Sequence, residues 1–254
     1  MKKLMTIAGV AIALTACGPE GSSSYDLTFK ITEANAKNVI ANSVTLTEDT
    51  DEYTPSKMLE SYSAPTTAIQ SRASQSVTLD CSPSGTMTLS ATVPDSYANT
   101  GDLPTSGQMS VSTTFNNCDD GWEVTDGGMS VSMSWSGYNE SNDTYNSLTV
   151  GIDFDDFKVT ADGETSKIDG GLDISTGSTS QSVSWDLYSQ FNGQTLRTST
   201  PQAISIGLND TYPSAGVIRV EGADDTFAEA KIVPNGYEVT VNGGQATLYT
   251  WDQF

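Results

Sequence analysis

The chain contains no histidine, and across 254 residues it has 11 lysines and arginines against 32 aspartates and glutamates. Without an imidazole there can be no Ser-His-Asp or Cys-His relay, no histidine-bound zinc and no HExxH metalloprotease site. What remains for catalysis is a pair of carboxylates of the kind used in glycoside hydrolysis, and no spacing singles one out among so many acids. The formal net charge of −21 leaves no basic stripe for phosphate, which rules out most nucleic-acid partners. The same shortage of Lys and Arg clusters argues against electrostatic attachment to anionic lipid. Long hydrophobic runs are missing as well: the apolar stretch at residues 4–13 is too short to cross a bilayer as a helix. Only 17% of residues are charged, so much of the polarity comes from Ser, Thr, Asn and Gly, a balance typical of secreted β proteins.

What is present begins at the N-terminus. Lys2 and Lys3 precede the apolar run, and Leu14-Thr15-Ala16-Cys17 follows it, which together describe a secretory signal. The Leu-Thr-Ala-Cys ending resembles the lipobox of bacterial lipoproteins. That resemblance implies cleavage before Cys17, a diacylglyceryl group on its sulfur and usually a third acyl chain, such as palmitate, on its amine. With Gly18 rather than Asp after the cysteine, it implies the outer membrane in a Gram-negative cell and the single membrane in a Gram-positive one. The expected organisation is a signal peptide over residues 1–16, a lipidated cysteine and flexible tether over 17–24, and one β-rich domain over 25–254. The Gly, Pro and Ser residues of the tether give it a reach on the order of 15 Å as a random coil.

With Cys17 assigned to lipid, Cys81 and Cys118 remain. An even pair in an exported chain reads most simply as a disulfide, the alternative being two free thiols. A metal site is disfavoured because histidine and CxxC spacing are both lacking.

Alternation predicts a first strand at Tyr25–Ile31, and Thr32, Glu33 and the alanines after them predict a short helix over residues 32–42 with Thr32 as N-cap. Residues 43–76 read as loop with one short strand at Val44–Leu46. From Val77 onward the period is two. Met87 to Val93, Met109 to Phe115, Met129 to Trp135 and Leu148 to Phe154 each alternate apolar residues with Ser, Thr, Gly or Asp, and shorter strands at Val183 to Leu187, Ile204 to Leu208, Ile218 to Val220, Tyr237 to Val241 and Thr247 to Trp251 continue the series. Such strands bury one face and wet the other. Asp126-Gly127-Gly128, Asp169-Gly170-Gly171, Asn192-Gly193, Asn235-Gly236 and Asn242-Gly243-Gly244 read as turns between them. The predicted fold is mainly β, an antiparallel meander forming a curved sheet or a sandwich, with one short N-terminal helix.

A degenerate repeat pairs Phe115-Asn116-Asn117-Cys118 and its Asp126-Gly127-Gly128 with Phe154-Asp155-Asp156-Phe157 and its Asp169-Gly170-Gly171. Two similar hairpins in one sheet explain it better than a solenoid. This layout of Cys, turn and Asp-Gly-Gly, with a last strand ending in Trp, resembles a diffuse set of β-rich envelope lipoproteins and carries no functional residue across.

Three side-chain groupings bear on function. The acidic clusters Asp119-Asp120, Asp153 with Asp155-Asp156, and Asp224-Asp225 have the oxygen chemistry of calcium ligands but no EF-hand or nonapeptide spacing, so they read as solvated turns and no cofactor beyond the lipid on Cys17 is expected. Trp135 and Trp185 share parity with aliphatic neighbours and read as core, whereas Trp122, in the turn at residues 119–123, reads either as exposed, and then a candidate for partner contact, or as tucked back over the sheet. Tyr97, in the loop at residues 94–107, and Tyr138 and Tyr145, in the loop at 136–147, are candidates for partner contact. Three function classes compete: a membrane-anchored, non-catalytic binding or structural module for an envelope protein or glycan; a carrier of a hydrophobic ligand in a half-barrel; and a carboxylate-based hydrolase.

Overall fold

A computed structural model describes residues 25–44, 74–100, 102–141 and 144–253. Cys17 and the tether lie outside the described residues, and the short strand expected at Val44–Leu46 has only its first residue within them. Twelve strands follow in order: β1 Ser74–Asp80, β2 Ser84–Thr92, β3 Gly107–Asp119, β4 Glu123–Ser136, β5 Ser147–Ala161, β6 Glu164–Thr176, β7 Ser180–Phe191, β8 Gln194–Gly207, β9 Ala215–Glu221, β10 Phe227–Val233, β11 Gly236–Val241 and β12 Thr247–Thr250. Each pairs with its neighbours in sequence, giving one antiparallel meander in the order β1 to β12. The sheet is not closed, and all twelve strands belong to one hydrogen-bonded sheet.

Helix α1 spans Glu33–Val44. Its start follows the residues: Thr32 stands before the first turn, and Asn35, at the third helical position, reaches back to accept the Thr32 N–H at 2.8 Å, as the third residue of a capping box does. Ala36 and Ile40, four apart on one face, are buried, and α1 packs on β9, β10 and β11. Beneath it β10 presents Ala228 and Ala230, both fully buried, small enough to let a helix approach the sheet. The rest of the core is the apolar parity of the strands, including Met133, Trp135, Val150, Leu172, Trp185, Ile218 and Val239 in one cluster with Ile31 and Ile40. Burying each such side chain contributes about 1.5–3 kcal/mol.

Several expectations are corrected. Tyr25–Ile31 is extended but forms no strand. It runs beside the start of β8, where the N–H groups of Thr28 and Phe29 both donate to the Thr195 carbonyl at 3.0 and 3.1 Å, and it holds Ala223 N–H on the Phe29 carbonyl at 2.8 Å. β10 is absent from the expected strands because alanine and glutamate are poor strand formers, and pairing with β9 and β11 overrides that preference. The loop expected at residues 94–107 contains a second helix, α2 Asp95–Thr100. Trp251 closes the chain in a 3-10 turn, Trp251–Gln253, instead of the last strand.

The two Asp-Gly-Gly segments differ most from expectation. Neither is a turn: Asp126-Gly127-Gly128 lies inside β4 and Asp169-Gly170-Gly171 inside β6. They mark a line of β-bulges. Pairing shifts between Phe115 and Cys118, between Asp126 and Gly128, and between Phe154 and Phe157. The extra residues are Asn117 and Asp156, both at φ 44, a left-handed conformation that Asn and Asp tolerate better than most side chains. Gly127 and Gly170 make room for the strand on their far side: a Cβ on Gly127 would sit 2.3 Å from the carbonyl oxygen of the bulged Asp156 in β5, and one on Gly170 would sit 2.3 Å from that of Asp186 in β7, which pairs with β6 without a shift. The repeat is therefore two consecutive hairpins, β3–β4 and β5–β6, bent at the same level.

Candidate functional site

The β3–β4 hairpin ends in Asp120-Gly121-Trp122, and its short polar side chains build the turn. Asp119 Oδ1 accepts the Gly121 N–H at 2.8 Å, and Asp120 Oδ1 accepts the N–H groups of Trp122 and Glu123 at 2.9 and 3.0 Å. Those two backbone donors, Glu123 first, hold the Asp120 carboxyl below its ordinary value. Gly121 takes φ +91, which a side chain would resist.

One residue before this turn, Cys118 is joined to Cys81 with 5.3 Å between their Cα atoms and a separation of 37 in sequence. The bond fastens the β1–β2 tip to β3, and Pro83 of that tip lies next to Gly121. In the loop-entropy model such a closure contributes about 4 kcal/mol. On this fixed turn Trp122 is 80% exposed. An indole held outward by a stapled, hydrogen-bonded turn offers a large contact surface with little ordering left to do on binding.

The sheet face opposite the core is a field of small polar side chains. One paired row crosses Ser76, Ser90, Ser112, Ser130, Asp153, Gly171 and Asp186. In it Asp153 lies over Gly171, and one row away Asp173 lies over Gly151. Burial, and after it the charge of Asp173, pushes the Asp153 carboxyl up, and burial pushes Asp173 up.

Farther along the same face an ion-pair ladder joins β7 to β10. Arg197 binds Asp186, with its Nε 2.6 Å from Asp186 Oδ1, and reaches Glu221 at 3.2 Å; Arg219 then joins Glu221 and Glu229 at 2.8 and 3.5 Å. Hydrogen bonding to Asp186 holds the Arg197 guanidinium above its ordinary value. Tyr25 stacks on Tyr188 with 5.1 Å between ring centres, and its hydroxyl donates to Asp156 Oδ1 at 3.4 Å. Sequence reading missed this ladder because the residues are neighbours only through register.

The structure separates the aromatic candidates. Trp122 sits at the hairpin-tip end of β3 and β4, whereas the segments carrying Tyr97, Tyr138 and Tyr145 join the opposite ends of the strands. Tyr97 is in α2 and half-buried. Tyr138 and Tyr145 flank the Asn139–Thr144 bridge, stack with ring centres 5.0 Å apart and pack against the core. Of the acidic clusters, Asp119 and Asp120 turn carboxylate oxygens onto backbone N–H groups. Asp156 binds Lys158, which with Lys167 outweighs burial and lowers its carboxyl, and Asp224 meets Lys30 at 2.8 Å. Among the described residues no three Cys, Asp or Glu side chains converge as a metal-binding group. Comparison with protein-family models, with curated proteins and with solved structures gives no match.

Proposed function

We propose that the chain is a lipid-anchored cell-envelope protein, acylated at Cys17 in the outer membrane, whose domain is a non-catalytic binding module that presents the β3–β4 turn to a protein or glycan partner. The observation that carries the binding surface is the exposure of Trp122 on a turn fixed by three backbone-to-carboxylate hydrogen bonds and a neighbouring disulfide. The anchor rests on the lipobox, and the docking of Tyr25 on Tyr188 and Asp156 ties the chain to the sheet directly after the tether. Tyr97, Tyr138 and Tyr145, placed at the far end and partly packed away, take a secondary role in this reading.

Two measurements test it. Metabolic labelling with a radioactive fatty acid should mark the protein and lose the mark in Cys17→Ser. A photo-crosslinking amino acid at position 122 should trap one discrete species in intact cells, while the same group at the exposed β12 residue Leu248 should not. An unmodified Cys17, or equal and diffuse crosslinking at both positions, overturns the corresponding half of the proposal.

The hydrolase alternative has one observation in its favour, the raised carboxyls of Asp153 and Asp173. They stand on an open strand face built from Ser and Gly, which supplies no enclosure to exclude water from a reacting bond.

A further inference from the structure

Among the described residues β1 is an edge with few of the usual safeguards. It pairs with β2 through seven successive partners, Ser74 with Thr92 to Asp80 with Thr86, without a bulge, and among the described residues its outer side meets no strand. Edges are normally blunted by lysine, proline, bulges or shortness. The opposite edge, β12, is four residues long and ends in a 3-10 turn. β1 is regular over seven residues, with no proline and Asp80 as its one charge. Val77 and Leu79, side by side on the core-facing parity, remain 37% and 39% exposed although β2 covers them on one side with Leu89 and Met87.

We infer that β1 pairs with β1 of a second copy, antiparallel about Thr78, to make one continuous sheet. The charge pattern selects this occupant. Two chains of net charge −21 repel wherever acidic surfaces meet, and the stretch Ser74–Leu79 is free of charge. In this register Val77 faces Leu79 of the partner copy twice over, and Asp80 faces a serine hydroxyl, Ser76, instead of another carboxylate. The wet face of β1 already forms a hydroxyl ladder with β2, Thr78 to Thr88 at 3.0 Å and Ser90 to Ser76 at 2.9 Å, and a symmetric pair continues it. A two-fold axis through Thr78 makes the contact self-complementary and closes it at two chains.

The test uses the full-length protein in its native membrane. Thr78→Cys, treated with a short bis-maleimide, should give a band at twice the chain mass. Leu248→Cys on the other edge and the parent chain treated alike should not, Cys81 and Cys118 being paired with each other and Cys17 being acylated in the function proposed above, on which this control rests. Val77→Lys, introduced beside Thr78→Cys, should abolish the band while leaving the far-ultraviolet circular dichroism of the detergent-purified protein unchanged. A monomeric Thr78→Cys protein overturns the inference, as does crosslinking to a different protein. Persistence of the doubled band in the Val77→Lys background overturns the proposed register.

Discussion

The backbone N–H of Asp156 donates to the side chain of Asp169 at 3.0 Å, and Asn117 makes the same bond to Asp126 at 3.3 Å. In each case a left-handed residue on one strand is held by an aspartate on the next, and glycine follows that aspartate. The sequence repeat is the trace of a device for bending long strands without losing their hydrogen bonds. Every part of it has a chemical reason: an Asn or Asp that accepts the conformation, a carboxylate that satisfies the exposed N–H, and a glycine that yields space to the strand on its far side.

If that account holds, Gly127→Ala and Gly170→Ala should each cost about 2–4 kcal/mol, combining backbone strain with a methyl group driven onto a carbonyl oxygen. Gly163→Ala and Gly193→Ala also sit at positive φ, but nothing lies within 4 Å of their Cβ positions. They should cost about 1 kcal/mol from strain alone. Urea denaturation of the four variants checks the ordering.

Asp153→Asn should raise stability at pH 7. The Asp153 carboxyl is pushed above its unfolded value by burial and then by Asp173, so the folded state prefers it protonated. That preference contributes fully below the unfolded value of about 3.9 and is lost as pH rises through the folded one. The advantage of asparagine over the parent should therefore shrink to nothing as pH falls below about 4. Thermal melts between pH 3 and pH 7 measure it, and an advantage unchanged across that range contradicts the assignment.

Thr198 is buried on β8, and its hydroxyl has no partner among the described residues. Thr198→Val keeps the shape and removes a desolvated hydroxyl whose burial costs about 1–3 kcal/mol. The variant should melt at a higher temperature than the parent. An ordered water bonded to that hydroxyl would reverse the sign.

Loss of the Cys81 to Cys118 bond should lower stability by about 4 kcal/mol in the loop-entropy model. Cys81→Ser with Cys118→Ser should fold with the same far-ultraviolet signature, because pairing of β1 with β2 and of β2 with β3 does not depend on the bond. Trp122, on the turn that the bond fastens, should become accessible to indole quenchers at a faster rate, measurable against Trp122→Phe as background.

Much of this molecule is determined by sequence alone. Alternation of apolar residues with Ser and Thr makes strands, because a half-buried pleated surface has period two, and the parity of Met133, Trp135, Val150 and Trp185 names the core face before any fold is known. The helix read over residues 32–42 and found at Glu33–Val44 was legible for equally local reasons, and the pairing of Cys81 with Cys118 from the even count of cysteines left in a chain read as exported. Tertiary structure decided the remainder. Asp-Gly-Gly has the composition of a turn, and only pairing with the bulged strand beside it keeps Gly127 and Gly170 inside strands. β10 has the intrinsic preference of a helix and becomes a strand because β9 and β11 satisfy its backbone and α1 needs small side chains beneath it. The separation of Trp122 from Tyr97, Tyr138 and Tyr145, the Arg197 ladder and the bare edge of β1 depend on which strands are neighbours and in what register, a long-range property that no window of sequence contains.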